Sequence, residues 1–230
     1  MAHKHSSFAL AALAALSTFA SASAQAQIGA AVTADLGTTG AGVHLVVPME
    51  STLNGRFGAN YLKHDFEKRS GLVDYQLDGK LATFDALFDW YVIPHSSFRL
   101  TGGIVYNGTR FKALGTPSAS GSFIFNGTTY AATDLGALKG EVSFRRAAPY
   151  IGIGWGNALN PNKRWNFHAD IGAFHQGKGR VNLIAYGCTS SQTFCKQLAS
   201  DVDVEELRLQ KEVSDYKIYP VLRAGISYNF

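Results

Sequence analysis

Near its end the chain alternates hydrophobic and polar positions one for one. Leu222, Ala224, Ile226, Tyr228 and Phe230 share one parity, while Arg223, Gly225, Ser227 and Asn229 share the other. A period of two marks a β-strand with one apolar and one polar face. The same pattern predicts strands over 28–36, 40–47, 54–66, 79–93, 98–112, 145–156, 165–176 and 217–230. Each reaches or approaches the roughly 9 to 11 residues that a tilted strand needs to cross a bilayer.

The two parities differ in chemistry. Over 79–93, Phe84, Ala86, Phe88, Trp90 and Val92 fall on one face, and Thr83, Asp85, Leu87, Asp89 and Tyr91 on the other. By the same rule Phe57, Ala59 and Tyr61 share the apolar face of the third strand, Phe98, Leu100, Gly102, Ile104 and Tyr106 that of the fifth, and Trp165, Phe167, Ala169, Ile171 and Ala173 that of the seventh. No charge falls on these faces within the central span. On a lipid-facing surface an Arg or Lys at the midplane would cost about 2 to 4 kcal/mol, so its absence carries information. Trp90, Trp155 and Trp165 lie on the apolar parity beside short connections, and with Tyr228 and Phe230 they predict an aromatic girdle at one bilayer interface. The competing reading is a soluble sandwich whose core takes the same side chains.

The start of the chain bears on that choice. Lys4 and His5 precede an apolar run from Phe8 to Ala20 and a small-residue site at Ala24-Gln25-Ala26, the pattern of a secretory signal peptide over residues 1–26. With eight alternating strands, short connections at 48–53, 94–97 and 157–164, and a terminal aromatic, the chain resembles the small eight-stranded bacterial outer-membrane barrels of the OmpA, OmpX and OmpW type. The resemblance implies an all-β fold, an eight-stranded antiparallel transmembrane β-barrel over residues 27–230, monomeric, with both ends periplasmic. It also implies an outer-membrane location, recognition of the last strand by the barrel-assembly machinery, and outer-membrane lipids and lipopolysaccharide as neighbours.

Composition changes this picture little. Hydrophobic residues make up 46% of the chain, yet mean hydropathy is -0.02, as strict alternation produces. The formal charge of +4 falls to +3 once Lys4 leaves with the leader, and no basic block argues for nucleic acid. Cys188 and Cys195, a close pair in an exported chain, predict a disulfide rather than a metal site. Neither a cofactor nor a metal is expected. Asn126-Gly127 between alternating runs predicts a β-hairpin in the long connection 113–144. Leu198, Val202, Leu209 and Val213 recur at helical spacing, predicting a short helix in the last loop, over 196–216.

The polar parity collects Asp35, His44, Arg56, His64, Asp85, Asp89, Arg99, His168, Asp170 and Arg223. In an eight-stranded ring the interior is only wide enough for side chains to fill it. These residues therefore predict a lumen ion-pair network: Arg56 beside Asp85 or Asp89, Arg99 near Asp89, and Arg223 between Asp170 and Asp35, with Gly152, Gly154 and Gly156 leaving room. His168 and Asp170 could be read as half of a charge relay, but residues two apart on a strand lie roughly 7 Å from each other, and no nucleophile adjoins His168. No catalytic residue is assigned. The expected role is structural or surface-interacting, through the outer loops. A porin-like channel for small or hydrophobic solutes is the alternative, and a lipid A or phospholipid hydrolase the more remote one.

Overall fold

The computed structural model describes residues 29–70, 73–94, 96–117, 121–131 and 134–230. The leader 1–26, its cleavage site and Ile28 lie outside them. The elements are β1 (Ala31–Gly37), β2 (Gly40–Glu50), β3 (Leu53–Ser70), β4 (Val73–Trp90), β5 (Phe98–Asn107), β6 (Arg110–Pro117), β7 (Ser122–Phe125), β8 (Thr128–Ala131), β9 (Ala137–Ser143), β10 (Ala147–Trp155), β11 (Trp165–His175), β12 (Arg180–Tyr186), helix α1 (Gln192–Val213) and β13 (Ile218–Asn229). Every strand pairing is antiparallel.

Eight strands close on themselves, in the order β4-β3-β2-β1-β13-β11-β10-β5, with β5 returning to β4. Closure leaves no free edge in this ring. The end at which β1 begins and β13 finishes is called lower here, and the opposite end upper.

Above the ring, five strands continue as an open wall. β3 and β4 stay paired from Leu53↔Trp90 to Ser70↔Val73. β6 extends β5 in one register along β4, with Asn107↔Thr83 followed by Arg110↔Lys80. β9 and β10 continue each other in the same way. β12 follows β11 with a slip of one residue at Gly177, whose φ of 72° suits glycine. The strand ranges expected from alternation, 54–66 and 79–93, thus stop short of two much longer strands, and the connection expected at 113–144 is largely strand.

The reason is a change of face chemistry within single strands. In β4 the outward positions Phe84, Phe88 and Trp90 are exposed and apolar, whereas farther up the same parity carries Lys80, Asp78 and Gln76. The other parity reverses in step, from buried Asp85 and Asp89 to half-buried Leu77 and Tyr75. Up to the rim the strand is apolar outside and polar inside; beyond it the polarity inverts. A search for a continuous apolar stripe ends where the stripe changes sides.

A compact module covers the apolar face of the wall. Phe123, Phe125 and Tyr130 of the β7–β8 hairpin pack with Leu135, Leu183, Leu198 and Val202. Asn126 and Gly127 form the turn with φ of 48° and 79°, which the type I′ geometry requires. α1 closes the free edge of β12: the Val181 and Leu183 amides donate to Gln210 Oε1 at 3.0 Å and Glu206 Oε2 at 2.7 Å. Cys188 and Cys195 are disulfide-bonded across the start of that helix, with Cα atoms 5.9 Å apart.

Candidate functional site: the charged lumen and its rim

Inward parity on eight strands gathers charge into a space flanked by two apolar clusters. Below, Ala31 and Val46 pack with Ala158 from the 156–164 turn. Higher up, Leu87, Val105, Ala148, Tyr150, Phe174 and Val221 form an apolar cluster of the same inward parity. Four carboxylates lie inside with three guanidiniums and two imidazoles, and none of these side chains is more than 4% exposed.

The network has two parts. In the first, Asp170 accepts from Arg56 Nη1 at 2.9 Å and Arg99 Nη2 at 2.7 Å. Asp89 accepts from Arg56 Nη2 at 3.1 Å and Thr101 Oγ1 at 2.6 Å, with Arg99 Nε 3.4 Å away. In the second, His44 lies between two carboxylates, Nδ1 2.6 Å from Asp35 and Nε2 3.1 Å from Asp85. An imidazole satisfies two acceptors only when both nitrogens carry hydrogen. Asp85 also accepts from Asn60 at 2.9 Å and faces Arg223 Nη2 at 2.6 Å, while Asp35 meets His168 Nε2.

Glycine makes the room. A Cβ at Gly154 would lie 2.5 Å from Asp170 Oδ1 and 2.9 Å from Arg99 Cζ; one at Gly225 would lie 2.6 Å from Asp35 Oδ1 and 2.3 Å from the Ala34 carbonyl.

Several pairings differ from those expected. Arg223 turns to Asp85 rather than sitting between Asp170 and Asp35, although Asp170 and Arg223 are partners in register. Arg56 takes Asp89, one of its two expected partners, and adds Asp170 across the lumen. Strand order identifies neighbours in the ring, whereas these long side chains reach across it. His64, expected inward with the others, is exposed. His168 bonds Asp35 and not Asp170, and each ring nitrogen of His44 faces a carboxylate. Asn60 and Thr101 join the network as neutral members whose inward parity was the only signal for them.

On the outside, an aromatic set occupies the lower end. Trp90, Trp155 and Trp165 are about half exposed; Trp155 meets Phe98 at 5.4 Å, and Trp165 meets Tyr228, which meets Phe230, at 5.0 and 5.3 Å. Tyr61, Phe84 and Tyr106 form a second exposed set near the upper rim. Above them, where β5 gives way to β6, β9 to β10 and β11 to β12, the wall parts from the ring around a cleft of about 1390 Å³.

With this architecture in view, solved structures supply a likeness. The chain is similar to the crystal structure of Acinetobacter baumannii CarO, at 22% identity and a TM-score of 0.54, over 88% of this chain and 97% of that one. It is also similar to that of Acinetobacter baumannii CarO2, at 20% identity and a TM-score of 0.55, over 90% and 100%. What is shared is the fold. A more distant likeness, at 14% identity and a TM-score of 0.43 over 88% and 98%, is to a major outer membrane protein from Thermus thermophilus. No protein-family model matches the chain, and no curated protein does.

Proposed function

We propose that the ring is an eight-stranded β-barrel spanning the bacterial outer membrane with a closed lumen, and that its role is to hold the wall and its module at the cell surface. The polarity inversion along β4 carries this reading. A strand that is apolar outside over 82–90 and polar outside over 74–80 has the two environments of lipid below and water above. Aromatic sets at both borders of the apolar band fit interfacial girdles. The lower turns then face the periplasm, and the wall with its hairpin, disulfide and helix is extracellular. The leader over 1–26 would be removed near Ala26, and the monomer would be assembled through its last strand by the barrel-assembly machinery.

A surface role is favoured over conduction by the filling of the lumen. Arg56 is 1% exposed and Asp85 is fully buried, and the charges are matched by one another, which tolerates burial without water. The experiment is planar-bilayer recording from refolded protein. Discrete single-channel events at neutral pH would overturn the closed lumen; an insulating bilayer at a protein load that gives visible insertion is the expected result.

A further inference from the structure

We propose that the cleft at the upper rim binds the phosphorylated headgroup of an outer-leaflet lipid, whose acyl chain lies along an apolar groove on the barrel wall beneath it. The inference rests on the membrane reading above and adds a ligand to it. Across β3, β4, β6, β9 and β12, the residues Lys63, Lys80, Arg110, Ser143 and Arg180 are successive cross-strand partners. Direct partners project from the same face of a sheet, so four cations stand in one row. The row lies on the outward face, the one that turns apolar lower down.

The cleft is strongly positive. Eight basic side chains line it against Asp78 and Glu141. Two of the cations have carboxylate partners: Lys63 with Asp65 at 2.5 Å and Arg110 with Glu141 at 4.0 Å. Among the described residues no salt bridge involves Lys80, Arg146 or Arg180. Lys80 stands over the Tyr61 ring at 5.9 Å, and Arg146 over that of Tyr106 at 6.0 Å, donating to its hydroxyl at 2.8 Å. Cations seated on the upper aromatic set are placed at the height where lipid phosphates begin.

Lower on the same outward face, beyond Ile104 and Phe84, a groove of about 550 Å³ floored by Gly102 runs from Phe88 and Ile151 down past Leu100 and Ile153 to Trp90 of the lower aromatic set. A Cβ at Gly102 would meet nothing nearer than 4.0 Å, so the glycine leaves an open channel of apolar surface. Tyr106 at the cleft and Gly102 in the groove are four residues apart on β5, about 13 Å along a strand, within the reach of one acyl chain. A free anion would use the cleft and ignore the groove. The alignment of the two favours an amphiphile.

The test uses the full mature chain refolded in a neutral detergent, with diphosphoryl lipid A, its dephosphorylated form and inorganic pyrophosphate as probes. Binding of the diphosphoryl lipid is expected to exceed that of the dephosphorylated form. It should fall by at least tenfold in K80Q/R110Q/R180Q, since each cation near a lipid surface contributes roughly fivefold. G102L, which fills the groove, should weaken lipid binding several-fold and leave pyrophosphate binding unchanged. Equal binding of both lipid forms, or no loss in the triple variant, overturns the site. Pyrophosphate binding as tight as the lipid's, with G102L silent, overturns the lipid as ligand. Heat-modifiable gel mobility reports the barrel separately: its absence in the parent protein would remove the membrane reading on which the site rests, whereas failed lipid binding by a heat-modifiable protein overturns the site alone. Should the triple variant misfold, R180Q alone at an exposed wall position is expected to cost about fivefold.

Discussion

Asp170 is the acceptor for two guanidiniums at once, Arg56 and Arg99, both almost wholly buried. Removing one partner of a buried pair leaves charge that nothing else can meet, at a cost of roughly 3 to 5 kcal/mol. Asp170→Ala is therefore expected to lower the stability of the folded ring by about that much, read as a shift in the urea midpoint of tryptophan fluorescence. Gly225→Ala is a second residue-scale prediction: its Cβ would stand 2.3 Å from the Ala34 carbonyl oxygen, which belongs to backbone and cannot swing away. Such a variant should refold poorly, seen as loss of the heat-modifiable band. Inward parity made the members of this network legible in the sequence, down to Asp35, Asp85 and Arg223. Partners on adjacent strands were legible too, Arg56 and Arg99 each meeting Asp89, but Arg56 with Asp170 and Arg223 with Asp85 pair across the lumen, and alternation carries no information about distance across a ring.

The module above the ring is held by a polar clasp at its centre. The Asp201 carboxylate of α1 accepts from Tyr130 Oη at 2.5 Å, Asn126 Nδ2 at 3.1 Å and Gln197 Nε2 at 3.2 Å. These hydrogen bonds, that from Tyr130 first, hold the Asp201 carboxyl below its ordinary range. Burial, with the adjacent carboxylate, pushes the Tyr130 phenol up to about 12. A depressed carboxyl contributes stability that is present above its unfolded value, near 3.9, and is lost as pH falls through the lower folded value. A raised phenol holds its contribution up to its unfolded value near 10 and loses it from there to about 12. Hydrogen exchange in β7 and β8, corrected for intrinsic pH dependence, should thus show flat protection from pH 5 to 9 and weakening at both extremes; Asp201→Asn should remove the acid limb. The disulfide acts on the same element. Reducing its small ring, or replacing both cysteines by serine, should cost the module on the order of 2.5 kcal/mol, and limited proteolysis near 187–196 should quicken while the ring stays resistant. Helical spacing at Leu198, Val202 and Leu209 located α1, but its first turn begins earlier, at Gln192, where Ser191 caps it and the apolar spacing has not started. The Asn-Gly pair located the hairpin, since positive φ at both positions is local chemistry. What covers what, hairpin on wall and helix on sheet edge, depends on contacts far apart in the chain.

At the scale of the whole molecule, one strand set serves two solvents. Alternation identified the ring strands, whose outward face is apolar over its central span. It underestimated β3 and β4 and hid β6, β9 and β12, because above the rim the apolar stripe passes to the opposite face. The cationic row at Lys80, Arg110 and Arg180 was illegible for a related reason: these residues are far apart in sequence and become neighbours only through the register of the wall. The central claim, that the inversion along β4 marks the surface of a bilayer, can be tested by single cysteines carrying an environment-sensitive fluorophore at positions 76, 78, 80, 84, 86 and 88 of the refolded protein in liposomes containing quencher-labelled lipid. Labels at 84, 86 and 88 should be blue-shifted and strongly quenched, and those at 76, 78 and 80 red-shifted and unquenched, with the break between 80 and 84. Uniform signals along all six positions, or quenching confined to the upper three, would contradict it.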